Sequence, residues 1–429
     1  MHKASDEPAI DDTSRWLARA ADSLDVSLVR LAVAIDSSAG IGGDSAKNAN
    51  DLRHAFAQAR TQYKHMEGAV EFYAPALAAS LNSRRQEVDD DDAPPPSTLA
   101  PGGFPALEGM VWPALNRDSV PRAHVMVDGM RRVVGRIRAL ASALAPTDAQ
   151  VIELARLEMT RIATLGIAGF DAPVTHASMT EAADALDGLR QLFANAGPAR
   201  WPEHRTEQRA IDSTLNRAAS MLRAHPDFDS FDRLLYITSY AEPAALTVDA
   251  LRKTKKTTAI RIPRGWRSDV ASVFGAGAFD PRAYAAATAP SSTPALVALG
   301  ERLFSDPALS GNGKRSCASC HVPSHAFTDG LSRAVRIDGH GLVARHTPTL
   351  LNAALASAQF ADERSVTIEE QIVRVLESEA EMGSSIDKAT AAIAQRHDYV
   401  AEFSGVFGGD ADGAVTESRM RFAIAAFVR

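Results

Sequence analysis

Cys317-Ala318-Ser319-Cys320-His321 contains the only two cysteines of the chain, three residues apart, with a histidine directly after the second. On one turn, two thiols at this spacing can form thioethers to the two vinyl groups of a porphyrin, while the next imidazole turns to the iron. These five residues predict covalently attached haem c, with Cys317 and Cys320 as attachment points and His321 as axial iron ligand. A zinc half-site looks the same, but zinc would need a second ligand pair, and no other cysteine exists. The same count rules out a disulfide framework elsewhere.

The residues around this motif are loop-like, with Gly311, Gly313, Gly330, Gly339 and Gly341 close by. Upstream the pattern is helical from Ser14 to about Phe279. Leu17, Ala20, Leu24, Leu28, Leu31 and Ile35 lay one apolar stripe and predict a long first helix. Met126, Met130, Val133, Val134, Ile137, Leu140 and Leu144 repeat the signal, and Thr147 with Gln150 reads as a capping box opening the next helix. Alternating strand patterns are scarce, so the fold class is mostly α. The expected domains are a helical bundle over 1–279, a linker over 280–294 containing Pro281, Pro290 and Pro294, and a cytochrome c-like haem domain with long loops over 295–429. Asp89–Asp92 followed by Pro94, Pro95 and Pro96 reads as a solvated loop rather than a cation site, because consecutive Asp side chains point in different directions.

The 429 residues carry 46 Lys plus Arg against 53 Asp plus Glu, a net charge of −7, so no global basic field exists to attract nucleic acid or anionic lipid. No apolar run reaches the roughly 18 to 20 residues that span a bilayer. Met1–Thr13 has neither the basic nor the apolar region of an export signal. Bacterial c-type haem is attached outside the cytoplasm, so the haem motif predicts a periplasmic protein. An upstream N-terminus or a removed leader would each reconcile the two readings.

Leu299-Gly300-Glu301-Arg302-Leu303-Phe304, Ser305-Asp306-Pro307-Ala308-Leu309-Ser310, the haem motif and Ala326-Phe327-Thr328-Asp329-Gly330 together resemble the first haem domain of bacterial di-haem cytochrome c peroxidases. The likeness continues through Arg345-His346-Thr347-Pro348-Thr349-Leu350-Leu351-Asn352, Glu369-Glu370-Gln371 and Glu381-Met382-Gly383, and covers about Ala295 to Arg429. It implies an oxidoreductase that reduces hydrogen peroxide to water with electrons from a small donor protein of the cytochrome c or cupredoxin type. A close branch on the same scaffold oxidises a protein residue. The resemblance also implies that Glu381 is the catalytic glutamate and Gln371 a pocket glutamine. It points to His340, in Asp338-Gly339-His340-Gly341, as a distal iron ligand, with His325 and His346 following the motif in the same Gly-rich stretch. A positioned carboxylate suits the chemistry, since peroxide cleavage needs a base that takes a proton from one oxygen and returns it to the other.

Three departures stand out. The family holds a calcium ion between its haem domains with the help of an asparagine, and His346 takes that position here. Ala361, in Gln359-Phe360-Ala361-Asp362-Glu363-Arg364, stands where the classical peroxidases carry a tryptophan between two haems, leaving Asp362 and Arg364 as a candidate ion pair. No second Cys-x-x-Cys-His follows, although a second haem is implied for a full-length relative. The apolar helical pattern still runs at Ile424–Arg429, which predicts a C-terminally truncated product. A mono-haem electron carrier, its iron closed by His321 and a distal histidine, is the competing expectation.

Ahead of the linker, Tyr63-Lys64-His65-Met66-Glu67, Phe72-Tyr73-Ala74-Pro75 and Gly103-Phe104-Pro105-Ala106-Leu107-Glu108 resemble a helical domain distantly similar to imelysins. Their Gly-x-His-x-x-Glu metal motif has Pro105 in place of its histidine, and Glu108 alone is too few ligands for a transition metal. Scaffold or partner surface is the expected role, with Tyr63, His65, Glu67 and Glu108 as candidate pocket residues.

Overall fold

A computed structural model describes residues 11–39, 45–82, 102–257, 260, 265–360, 362–409 and 413–429. The acidic and proline run at 89–96 and Ala361 lie outside them. Among the described residues the chain is helical, with isolated β-bridges and no named strand. It divides into two units, one holding the described residues before 261 and Ser268–Ala276, the other 265–267 and Gly277–Arg429.

The first unit is built from α1 (Asp12–Ala39), α2 (Ser45–Tyr73), α3 (Pro75–Asn82), α4 (Gly103–Val111), α5 (Val120–Ala143), α6 (Asp148–Arg161), α7 (Ser178–Arg200), α8 (Arg205–Ala224), α9 (Arg233–Tyr236) and α10 (Glu242–Thr254). The predicted first helix is present, and Leu17, Leu24, Leu28, Leu31 and Ile35 are all buried along it. α1 packs on α2 and α5. α5 turns Ala123, Val127, Met130, Val134, Ile137 and Ala141 inward, leaving Met126 and Leu140 half-buried. The capping box at Thr147 forms: Gln150 N–H donates to Thr147 Oγ1 (3.3 Å) and Thr147 N–H donates to Gln150 Oε1 (2.8 Å). Helix stops at Thr254, earlier than the sequence pattern suggested. Residues 268–276 form turns instead, and the buried Arg156 holds them by donating to the Ser268 carbonyl (2.6 Å) and to that of Val270.

In the second unit α11 (Pro294–Phe304), α12 (Ile368–Glu377), α13 (Ile386–Ala394), α14 (His397–Phe407) and α15 (Glu417–Val428) enclose a core of Leu296, Leu299, Leu303, Leu376, Phe403 and Met420, among others. α11 opens on Pro294 at its first position, with Thr293 Oγ1 accepting from Leu296 N–H (3.2 Å). Gly300 lets α11 lie directly on α15, because a Cβ there would run into the Ala423 carbonyl. α12 meets α15 as well, and the buried carboxylate of Glu369 pairs with the equally buried Arg429. Between α11 and α12 runs a long stretch of loops and single 3-10 turns. It carries the haem motif.

Candidate haem site

Cys317–Ser319 form one 3-10 turn, opened by Ser316, whose N–H donates to Ser319 Oγ (2.9 Å). The Cys317 carbonyl accepts from the N–H groups of both Cys320 (3.2 Å) and His321 (2.9 Å). Positions i, i+3 and i+4 of a turn share one face, so this short element puts both thiols and the imidazole on one side. Both cysteines are free thiols and half-buried. Burial pushes the Cys317 thiol up to about 12 and raises that of Cys320 too.

His321 is fixed by its far nitrogen. Nδ1 lies 3.0 Å from the Phe327 carbonyl, an acceptor that requires the proton on Nδ1 and leaves Nε2 as the metal-binding lone pair. Burial lowers the imidazole's pKa, against smaller opposing contributions from the Phe327 and Pro348 carbonyls and Asp329, favouring the neutral, ligating form. To present that carbonyl, Ala326 and Phe327 both adopt left-handed backbone (φ 55° and 58°), which costs about 1–2 kcal/mol per residue. The surrounding motifs hold the bend. Thr349 Oγ1 donates to the Ala326 carbonyl (2.5 Å), and Thr347 Oγ1 to Asp329 Oδ2 (3.1 Å). Beside the imidazole stands Phe304, 6.3 Å away between ring centres, with Phe327 and Phe427 packed on Phe304. Two free thiols, one oriented imidazole and an aromatic wall fit a covalent haem, whose porphyrin Cys317 and Cys320 would hold and whose iron His321 would bind.

Glu381 sits in a tight turn where Glu381 N–H and Gly383 N–H both donate to the Ser378 carbonyl (3.1 and 2.8 Å). Gly311 N–H donates to the Met382 carbonyl (2.8 Å), so this turn is docked on the loop that leads into the haem motif. Its carboxylate is near enough to Cys320 to disfavour the thiolate, an effect shared with Asp329 and smaller than that of burial. Gln371 is half-buried on α12, one turn after Thr367 caps that helix. His340 is exposed at the tip of a turn between Gly339 and Gly341, its N–H bonded to Asp338 Oδ1 (2.8 Å). His325 and His346 are exposed too. The structure thus docks the Glu381 turn on the loop that leads into the Cys317, Cys320 and His321 turn, while His340 faces solvent. Asp362 and Arg364 do form an ion pair (2.8 Å), with the guanidinium stacked 3.7 Å over Phe360.

The four pocket candidates of the first unit do not converge. Glu108 accepts from Thr175 N–H (3.1 Å) and Oγ1 (2.6 Å), and the His65 carbonyl lies against Gly188 of α7. Tyr63 and Glu67 join an interior charge cluster that the periodicity did not announce. Lys64 Nζ bridges Glu67 (2.8 Å) and Asp171 (2.7 Å), Arg60 pairs with Glu181 through Nε (2.8 Å) and with Asn82 (2.7 Å), and Arg161 reaches Glu67 (3.2 Å). The one available signal was Arg60, Lys64 and Glu67 at helical spacing inside the apolar stripe of α2. Glu158 is 1 % exposed with neither oxygen hydrogen-bonded, and burial raises its pKa well above the carboxylate range. Among the described residues no group of three or more His, Cys, Asp or Glu is arranged to hold a metal ion, and no helix is long and apolar enough to cross a membrane.

Residues 294–429 match the family model for di-haem cytochrome c peroxidase. The methylamine utilization protein MauG of Methylorubrum extorquens is 40% identical over 120 residues, 28% of this chain and 33% of that protein. Cytochrome c551 peroxidase of Nitrosomonas europaea is 36% identical over 136 residues, 31% of this chain and 38% of that protein. The chain therefore spans about a third of the length of the curated relatives it matches. The solved diheme peroxidase BthA of Burkholderia thailandensis aligns at 28% identity, TM-score 0.29, covering 35% of this chain and 40% of that one. Residues 294–429, which carry the Cys317, Cys320 and His321 turn, are thus a domain of the di-haem cytochrome c peroxidase family.

Proposed function

We propose that the second unit binds one haem c through Cys317, Cys320 and His321 and reduces hydrogen peroxide to water in the periplasm, with two electrons from a small redox protein of the cytochrome c or cupredoxin type. The observation that carries this reading is the docking of the Glu381 turn on the loop entering the haem motif, through Gly311 and Met382. When bound, the haem supplies the redox-active iron at which the oxygen–oxygen bond is broken. Glu381 takes a proton from one peroxide oxygen and delivers it to the other, which leaves as water, and Gln371 offers its amide to orient the bound peroxide. His321, neutral and anchored on the Phe327 carbonyl, holds its own side of the site fixed. His340, carried on an exposed turn with a glycine on either side, would be a removable further ligand to the haem iron. A second haem and calcium belong to the family's pattern, and His346 departs from the calcium part of it. The first unit acts as scaffold or partner surface.

Peroxide consumption by the haem-loaded chain with a reduced cytochrome c is the test. Glu381→Gln is expected to lower kcat by about 10²- to 10⁴-fold with haem content unchanged. Unchanged turnover would remove Glu381 from the mechanism. Oxidation of a macromolecular substrate is the second reading, favoured by the 40% identity to a MauG protein. Peroxide consumption that needs no small donor, and stops once a protein partner is oxidised, would select it.

A further inference from the structure

Arg315 stands two residues ahead of Cys317 and has no assigned role. Its guanidinium joins three carbonyls from two separate turns: Nη1 donates to Glu381 (3.2 Å), while Nη2 donates to Val335 (2.8 Å) and Arg336 (3.1 Å). Those two turns are also bonded to each other, because Ile337 N–H donates to the Ala380 carbonyl (2.9 Å). The base of the clamp is rigid. Arg315 N–H donates to Ser310 Oγ (3.2 Å), and the adjoining Gly311 docks on Met382. A planar guanidinium with several donors in a fixed fork can span carbonyls on two segments; an ammonium or a primary amide cannot reproduce that span. Arg315 stands two residues before Cys317 in sequence, so the clamp ties the segment leading into the attachment turn to the Glu381 turn.

We propose that Arg315 is a positioning residue for Glu381, holding its turn in register with the haem motif and with the turn that carries His340. This rests on the reading of Glu381 as the proton-transferring base. The guanidinium grips the Glu381 backbone, so it governs where the carboxylate stands without touching the reacting atoms.

The experiment uses the haem-loaded full chain and two probes that differ in their need for a base. Hydrogen cyanide must lose a proton as it binds ferric haem, whereas carbon monoxide binds ferrous haem with no proton transfer. Arg315→Gln is expected to slow cyanide association about tenfold, with peroxide kcat falling in parallel, and to leave carbon monoxide association within about twofold. In a Glu381→Gln background the same substitution is expected to add nothing, because two residues acting through one group are not additive. Arg315→Lys, which keeps the charge but not the fork, is expected to behave like Arg315→Gln and serves in its place if the glutamine variant loses haem. Asn312→Ala breaks a bond to the Ile337 carbonyl (3.2 Å) and those that Asn312 Oδ1 accepts from Ser310 Oγ (3.1 Å) and Lys314 N–H (2.9 Å), but leaves all three guanidinium bonds of Arg315 in place, and is expected to leave cyanide association unchanged. An equal slowing by Asn312→Ala, an additive effect with Glu381→Gln, or no slowing by either Arg315 variant would overturn the proposal. If Glu381→Gln alone changes neither cyanide association nor peroxide turnover, the base assignment has failed and the proposal falls with it.

Discussion

Gly311→Ala tests whether the Glu381 turn is held where the chemistry needs it. The loop from Gly311 to Arg315 crosses the turn at Met382 and Gly383, where a Cβ on residue 311 would stand well inside contact distance of the Gly383 carbonyl oxygen. The obstacle is backbone, so no side chain can rotate away, and the two segments must separate by about an ångström. Separation also stretches the hydrogen bond from Gly311 N–H to the Met382 carbonyl. Overpacking of this kind costs about 1–3 kcal/mol of stability. The larger effect is on rate, because a displacement of about 1 Å in a catalytic group can cost about 10²-fold. Gly311→Ala is therefore expected to keep its covalent haem and lower peroxide kcat by one to two orders of magnitude. Haem content is read from the denatured pyridine haemochrome, and turnover from oxidation of reduced cytochrome c. Gly405→Ala is the control: its Cβ would meet nothing within 4 Å on α14, so it should keep full activity and lose no stability. Full haem loading with kcat within twofold of the parent would refute the reasoning for Gly311.

Replacing Cys317 and Cys320 together by alanine should leave any bound haem extractable into acidified acetone; haem that stays with the denatured chain would disprove attachment at this turn. In the first unit, the raised folded-state pKa of Glu158 means that the native state binds a proton which the unfolded chain gives up near pH 4.5. Its contribution to stability is complete below that pH and is lost as pH rises through the folded-state value. Glu158→Gln, which cannot ionise, should match the parent at pH 4 and exceed it by about 1–3 kcal/mol at pH 8. Thermal unfolding followed by circular dichroism at the two pH values decides the matter, and a glutamine variant no more stable at pH 8 would contradict it.

Local pattern alone carried the helical class, the long first helix, the Thr147 capping box and the haem attachment turn. Each depends on residues a few positions apart, whose relation is fixed by the geometry of a single turn. The same locality explains the overreach beyond Thr254, where residues 268–276 are held as turns by Arg156, more than a hundred positions away in sequence. Arg60, Lys64 and Glu67 were visible as charges on an apolar stripe, but their partners Asp171 and Glu181 come from elsewhere in the chain, and no spacing rule links them. At the proposed haem site the sequence by itself named Cys317, Cys320 and His321 as the candidates to hold the cofactor, because the attachment pattern lies within five consecutive residues. Only the tertiary structure decided which imidazole nitrogen is bonded to the Phe327 carbonyl, that the Glu381 turn docks on the loop entering the haem motif while His340 sits in solvent, and that Arg315 binds two turns together. Those outcomes depend on carbonyls brought together across long loops, and every residue carries the same carbonyl, so one-dimensional pattern has nothing with which to mark them.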